Sequence, residues 1–191
     1  MVDKNKRPRV ILRAMEPEDL DAMYEIENDQ DIWSVSNTNM PYSRFALHEY
    51  IASSSGDIYT DKQVRLIITN LDKDFIGIID LANFSPQHQR AEVGIVIRKL
   101  YRYEGYGQAA LEELMEYAHT VLHIHQLYAL VNVSNKYCVK LFQKVGFTLE
   151  AELSDSRNFR KRRIGRMCYQ LHSRPFCFRN DCFYEIFKIL P

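Results

Sequence analysis

Hydrophobic and polar positions along this chain fall into two rhythms. Short runs dense in β-branched and alternating apolar residues predict strands at Val10–Ala14, Val64–Thr69, Phe75–Asn83, Glu92–Arg98 and Gln126–Val133, with a closing pair at Phe147–Leu153 and Arg163–Leu171. Helical spacing appears between them. Leu111, Leu114, Met115, Ala118, Val121 and Leu122 share one face of a helix that follows the Glu92–Arg98 strand. Pro17-Glu18-Asp19 opens an earlier helix that runs to about Asn28, because proline fits a first turn and acidic side chains suit its partial positive charge. Ser43 is placed to cap a helix from Arg44 to Ala52, and Asn135 to cap one that ends at Gly146. The stretch Asp29–Ser43 is polar and irregular, Leu71–Asp74 reads as a tight turn, and Ser85–Gln89 separates two strands. A meander followed by βαβα and a final hairpin predicts an α+β domain, with a mixed, mainly antiparallel sheet flanked by helices.

Composition narrows the setting. With 191 residues the chain fits a single core, which we place at residues 1–172, with 173–191 as an apolar extension. That extension carries Phe176, Phe178, Phe183, Tyr184 and Phe187 and is expected to pack on its own domain or on a second subunit, making a homo-oligomer an open expectation. Basic and acidic residues balance at 25 each, so bulk charge draws the protein neither to nucleic acid nor to anionic membranes. The charged start lacks the apolar centre of a signal peptide, and no apolar run reaches spanning length, which makes cytoplasm the expected location and a membrane partner unexpected. Arg157, Arg160, Lys161, Arg162, Arg163 and Arg166 form a local basic hairpin; the acidic residues Glu150, Glu152 and Asp155 partly balance it, and we read it as a solvated surface rather than an RNA grip. Cys138, Cys168, Cys177 and Cys182 form no paired metal-ligand knuckles, so no metal is expected.

The chemistry concentrates in Arg102-Tyr103-Glu104-Gly105-Tyr106-Gly107-Gln108, which joins a strand to a helix. A helix start offers unpaired backbone N–H groups and partial positive charge, and glycine lets an anion approach without a Cβ in the way. No Gly-Lys-Ser/Thr follows, and the third glycine and downstream carboxylate of a dinucleotide site are missing. The turn therefore suits a different diphosphate.

Arg-x-x-Gly-x-Gly at this turn, followed by Asn135-x-x-Cys138-x-x-Leu141-Phe142-x-x-x-Gly146-Phe147, resembles the GCN5-related N-acetyltransferases, and within them the branch of spermidine and ribosomal-protein N-terminal acetyltransferases. The resemblance implies acetyl-CoA as co-substrate. Arg102, Tyr103, Glu104, Gly105, Tyr106, Gly107 and Gln108 would receive its diphosphate; Ile95, Val96 and Ile97 would pair with its pantetheine arm; Asn135 and Phe142 would flank that arm and the acyl end. It further implies transfer of acetyl to a primary amine, either a polyamine such as spermidine or a protein N-terminus. A non-catalytic acyl-CoA-binding module is the alternative.

Direct attack by an amine on a thioester requires a proton acceptor and something to meet the leaving thiolate. Glu92, at the start of the cofactor strand, is the candidate base. Relatives place a tyrosine acid where this chain has Phe142, which has no proton to give. Cys138 is the candidate replacement, with Tyr137 or the absence of any acid as alternatives. For the acceptor, Glu27 and Asp29, within an acidic run that includes Glu25 and Asp31, lie close to Trp33 and suit a cationic amine.

Overall fold

The computed structural model describes residues 7–33, 40–159 and 162–172, from residue 153 onward as backbone alone. Seven strands form one sheet: β1 (Ile11–Arg13), β2 (Val64–Thr69), β3 (Phe75–Ser85), β4 (Arg90–Ile97), β5 (Gln126–Asn132), β6 (Thr148–Phe159) and β7 (Arg162–His172). Their spatial order is β1-β2-β3-β4-β5-β7-β6, antiparallel throughout except where β4 meets β5. Six helices accompany them: α1 (Leu20–Glu27), α2 (Gln30–Trp33), α3 (Arg44–Ser53), α4 (Ile58–Asp61), α5 (Tyr106–Thr120) and α6 (Lys136–Lys144).

Two apolar clusters hold the helices to opposite faces. On one face, Ala91 and Val93 of β4, Ile79 and Leu81 of β3 and Leu127 and Ala129 of β5 pack against Leu111, Leu114 and Ala118 of α5 and Phe142 of α6. On the other, Ile67 and Ile78 meet Met23 and Ile26 of α1, with Val96 packed alongside. Side chains alternate along a strand, so β4 turns Val93 toward α5 and Val96 toward α1. The strands β3 and β4 approach so closely that a Cβ on Gly77 would overlap the carbonyl oxygen of Val96, and only glycine fits there.

The α+β, mainly antiparallel arrangement is the one expected from sequence. It differs in detail: Gln30–Trp33 and Ile58–Asp61 are short helices where none was anticipated, and Pro17–Asp19 forms a 3-10 turn ahead of α1. Four residues are too few to show a period. Asp57 caps α4 through hydrogen bonds from the backbone N–H groups of Tyr59 and Thr60 at 3.0 and 3.2 Å. The expected extension at 173–191 lies outside the described residues, as do the side chains of the basic hairpin.

Candidate active site

β4 and β5 are parallel neighbours for only a short distance. Arg90, Ala91 and Glu92 face Gln126, Leu127 and Tyr128, and there the ladder ends, although β4 continues to Ile97 and β5 to Asn132. Beyond Glu92 the two strands diverge. The gap opens into a cleft of about 640 Å³, lined on one side by Ile95, Val96 and Ile97 and on the other by Asn135, Cys138 and Leu141. A strand with an unpaired edge along a cleft offers backbone N–H and C=O groups to an extended ligand.

The phosphate turn closes one end of this cleft. After Ile97 the chain makes a 3-10 turn at Lys99–Tyr101, and the Arg102 Nε donates back to the Ile97 carbonyl at 2.9 Å, fixing the guanidinium across the end of β4. Tyr103 and Gly105 take left-handed backbone, φ 69° and 93°, and α5 starts at Tyr106. The Gln108 N–H donates to the Gly105 carbonyl at 3.1 Å; the amides of Tyr106 and Gly107 before it have no acceptor within the helix. Such free amides at a helix start can receive an anion. Gly107 is also packed closely, since a Cβ there would come within 3.2 Å of Leu141 Cδ2. Gln108 is buried at the cleft floor, its amide donating to Glu112 at 2.7 Å.

α6 forms the opposite wall. The Asn135 side-chain oxygen accepts the Cys138 N–H at 3.1 Å, so the residue that caps α6 also sets the thiol in the cleft. Burial pushes the Cys138 thiol up to about 12, which keeps it protonated at neutral pH. Phe142 is a correction to the expectation from sequence. It does not line the cleft; it is 2% exposed, edge-on to Phe147 with ring centroids 5.0 Å apart, and belongs to the core. Glu104 is exposed and Tyr106 packs edge-on to Tyr101, and neither is among the residues that line the cleft.

Glu92 sits at the last β4–β5 pair and accepts a hydrogen bond from Asn83 Nδ2 at 2.8 Å. Strand alternation turns it away from α5, toward the face that carries α1, at the apex of the divergence rather than on the cleft wall. Each member of the acidic run is paired. Glu25 meets Arg98 at 2.8 Å, Glu27 meets Arg65 at 2.6 Å, and Lys99 bridges Asp29 at 3.2 Å and Asp31 at 2.8 Å. Glu27, Asp29 and Trp33 thus do not line the cleft, and the Trp33 indole N–H donates to the Glu27 carbonyl at 2.6 Å. Their neighbours Asp31 and Ile32 do line it. The Lys99 hydrogen bond holds the Asp31 carboxyl below its ordinary value. Sequence reasoning missed the cations because Lys99 and Arg98 belong to a turn some 70 residues from their partners. It also missed Arg65, whose Nε and Nη2 grip Asp80 at 2.8 and 3.0 Å; a charged pair facing across two otherwise apolar strands was the available signal.

Comparison with known proteins bears on this geometry. A family profile described as the acetyltransferase (GNAT) domain matches residues 9–148. The chain belongs to the GNAT acetyltransferases. The spermidine N(1)-acetyltransferase of Escherichia coli K12 is 28% identical over 169 residues, 85% of this chain and 87% of that one. Its counterpart from Vibrio cholerae is 27% identical over 145 residues, 76% of this chain and 82% of that protein. The crystal structure of the Vibrio cholerae spermidine N-acetyltransferase with CoA and spermine superposes with a TM-score of 0.77 at 25% identity, covering 86% of this chain and 95% of that one. The GNAT assignment makes the chain an acetyl-CoA-dependent N-acetyltransferase. Gly105 and Gly107 line this cleft together with the strand edge of β4 beyond Glu92. Among the described residues no group of side chains is arranged to hold a metal ion, and no helix is long and apolar enough to cross a membrane.

Proposed function

We propose that this GNAT enzyme transfers the acetyl group of acetyl-CoA to a primary amine of a polyamine such as spermidine. The observation that carries the reading is the joining of a diphosphate seat and a free β4 edge in one cleft, in a chain alike over most of its length to spermidine acetyltransferases. The acceptor side supports a polycation. Glu25, Glu27, Asp29, Asp31 and Asp80 outnumber Arg65, Arg98 and Lys99 there, so the paired network retains negative charge.

In the reaction the amine nitrogen bonds to the thioester carbonyl carbon, the carbon–sulfur bond breaks, and the amine gives up a proton. Glu92, at the last β4–β5 pair, is the carboxylate to which we assign the drawing away of that proton, through water. Cys138 meets the departing sulfur as a hydrogen-bond donor. With its thiol at about 12, against ~8.5 for an ordinary thiol, handing over its proton outright would be uphill by about 5 kcal/mol, so it stabilises the thiolate without neutralising it. The domain boundary near residue 172 and the roles of these residues are part of the same proposal.

Release of CoA thiol from acetyl-CoA, measured with polyamines, aminoglycosides, amino acids and short peptides as acceptors, tests it. Turnover highest on polyamines and reduced in Glu92→Gln is the expected result. Turnover confined to peptides would move the acceptor to a protein N-terminus.

A further inference from the structure

β3 carries one residue too many for its ladder with β4. Ala82 faces Glu92 and Ser85 faces Arg90, so three steps on β3 match two on β4, and the extra residue makes a β-bulge. Asn83 sits at this bulge with left-handed backbone, φ 51°, where a side chain costs free energy and glycine does not. The bulge changes which side of the sheet each residue serves. Leu81 and Phe84 are an odd number of positions apart, yet both belong to the apolar cluster under α5, where strict alternation would have put Asn83. Phe84 is held there: it is buried, its N–H donates to the Lys62 carbonyl at 2.9 Å, and its ring meets Tyr59 edge-on at 5.2 Å.

Asn83 is thereby expelled from the core and is exposed. Its side chain turns to Glu92, where Nδ2 donates to Oε2 at 2.8 Å. Ala82, directly opposite Glu92 in the ladder, has only a methyl group and offers the carboxylate no side-chain hydrogen bond. A regular β3 would thus give Glu92 no side-chain donor from this strand, and the bulge supplies one. Glycine would satisfy the backbone at φ 51° with less strain; what asparagine adds there is its amide. A strained residue whose side chain grips the assigned base is an outlier that points to function.

We propose that Asn83 is a positioning residue for Glu92, holding its carboxylate in the orientation that accepts the proton of the acceptor amine. The proposal rests on Glu92 being that acceptor and adds how it is aimed. Engaging Oε2 fixes the carboxyl plane of a long, flexible side chain and leaves Oε1 to receive the proton that water relays from the amine. Asn83 does not line the cleft, so it acts through Glu92, and its effect falls on kcat rather than on binding of acetyl-CoA.

Steady-state rates of CoA release, on the acceptor that the wild type turns over fastest, together with melting temperatures of the same proteins, test this. Asn83→Gly and Asn83→Ala should each lower kcat about tenfold, as loss of one hydrogen bond to a charged group provides, with the KM for acetyl-CoA unchanged. Their stabilities should part. Glycine accepts φ 51° and should melt near the wild-type temperature, whereas alanine should melt below it. Equal loss of rate at unequal stability separates aiming from folding. In a Glu92→Gln background, Asn83→Gly should cost nothing further, because the carboxylate it aims is gone. A glycine variant with wild-type kcat, or losses that multiply in the double variant, would overturn the proposal and leave Glu92 as the base. Wild-type kcat in Glu92→Gln alone would overturn the assignment of Glu92 and, with it, the role of Asn83.

Discussion

Arg65 of β2 holds Asp80 of β3 through two parallel hydrogen bonds, Nε to Oδ1 at 2.8 Å and Nη2 to Oδ2 at 3.0 Å, and its remaining nitrogen reaches Glu27 of α1 at 2.6 Å. Its side chain is 22% exposed. Burial opposes the guanidinium charge, but the two carboxylates more than offset that, and the group is held firmly protonated. One cation thus ties the α1 layer to the sheet directly behind the β4 strand edge. Replacing it by methionine removes the shared partner of two partly buried carboxylates. Arg65→Met should lower unfolding stability by about 3 kcal/mol, the lower end for a broken buried pair because some solvent reaches the site, as read from urea denaturation. Asp80→Asn, which keeps an acceptor for Arg65, should cost less.

Asp19 makes stability depend on pH. It is buried, accepts both Arg13 nitrogens at 2.7 Å and accepts the Glu16 N–H at 2.9 Å. Burial alone would raise its carboxyl, but the Arg13 and Glu16 contacts prevail and lower it below 3.8. A group depressed in the folded state adds stability that is present above its unfolded value and lost as pH falls through its folded one. Asp19→Asn should therefore be destabilised at pH 7, and the gap to wild type should narrow as pH drops below about 4. Thermal unfolding of both proteins across that range checks it; a constant gap would show that the ionised carboxylate is not the source.

Cys138 separates a donor from a mere packing residue. Cys138→Ala removes the hydrogen bond to the leaving sulfur and should lower kcat by roughly tenfold, since a charge-assisted hydrogen bond contributes about 1.5 kcal/mol. The KM for acetyl-CoA should stay nearly unchanged, and Cys138→Ser, which retains a donor, should keep most of the rate. An alanine variant with wild-type kcat would leave the thiolate to depart unaided.

The two glycines of the phosphate turn should fail differently. Gly105 is left-handed at φ 93°, and a Cβ there would lie 3.1 Å from Pro8, so Gly105→Ala should cost about 1 kcal/mol of stability. Gly107 has room problems only against Leu141. Gly107→Ala should fold nearly as well while raising the KM for acetyl-CoA several-fold, because the new methyl displaces Leu141 toward the ligand. Melting temperatures alongside steady-state kinetics distinguish these outcomes.

The long elements and the phosphate turn were legible in the sequence because their signals are local: β-branched runs, a 3.6-residue period through Leu111, Leu114 and Ala118, and glycines at a helix start. What was not legible depends on distant partners. Glu27 and Asp29 look like a free acidic face until Arg65 and Lys99 arrive from elsewhere in the chain. Phe142 took its expected place at the cofactor from a motif position, whereas its neighbour Phe147 draws its ring into the core.

The seven-stranded sheet is joined at its middle through Arg90, Ala91 and Glu92, with the Gln89 carbonyl just before them accepting from the His125 and Gln126 N–H groups. Four strands lie on one side of that seam and three on the other, each group well laddered within itself. In the proposed function, a donor molecule stretched along Ile95–Ile97 would take the place of a missing strand where the ladder between the halves ends. On that reading the sheet would run unbroken from β1 to β6 only while the cleft is filled, with the donor's amides meeting a strand edge that the protein itself leaves open.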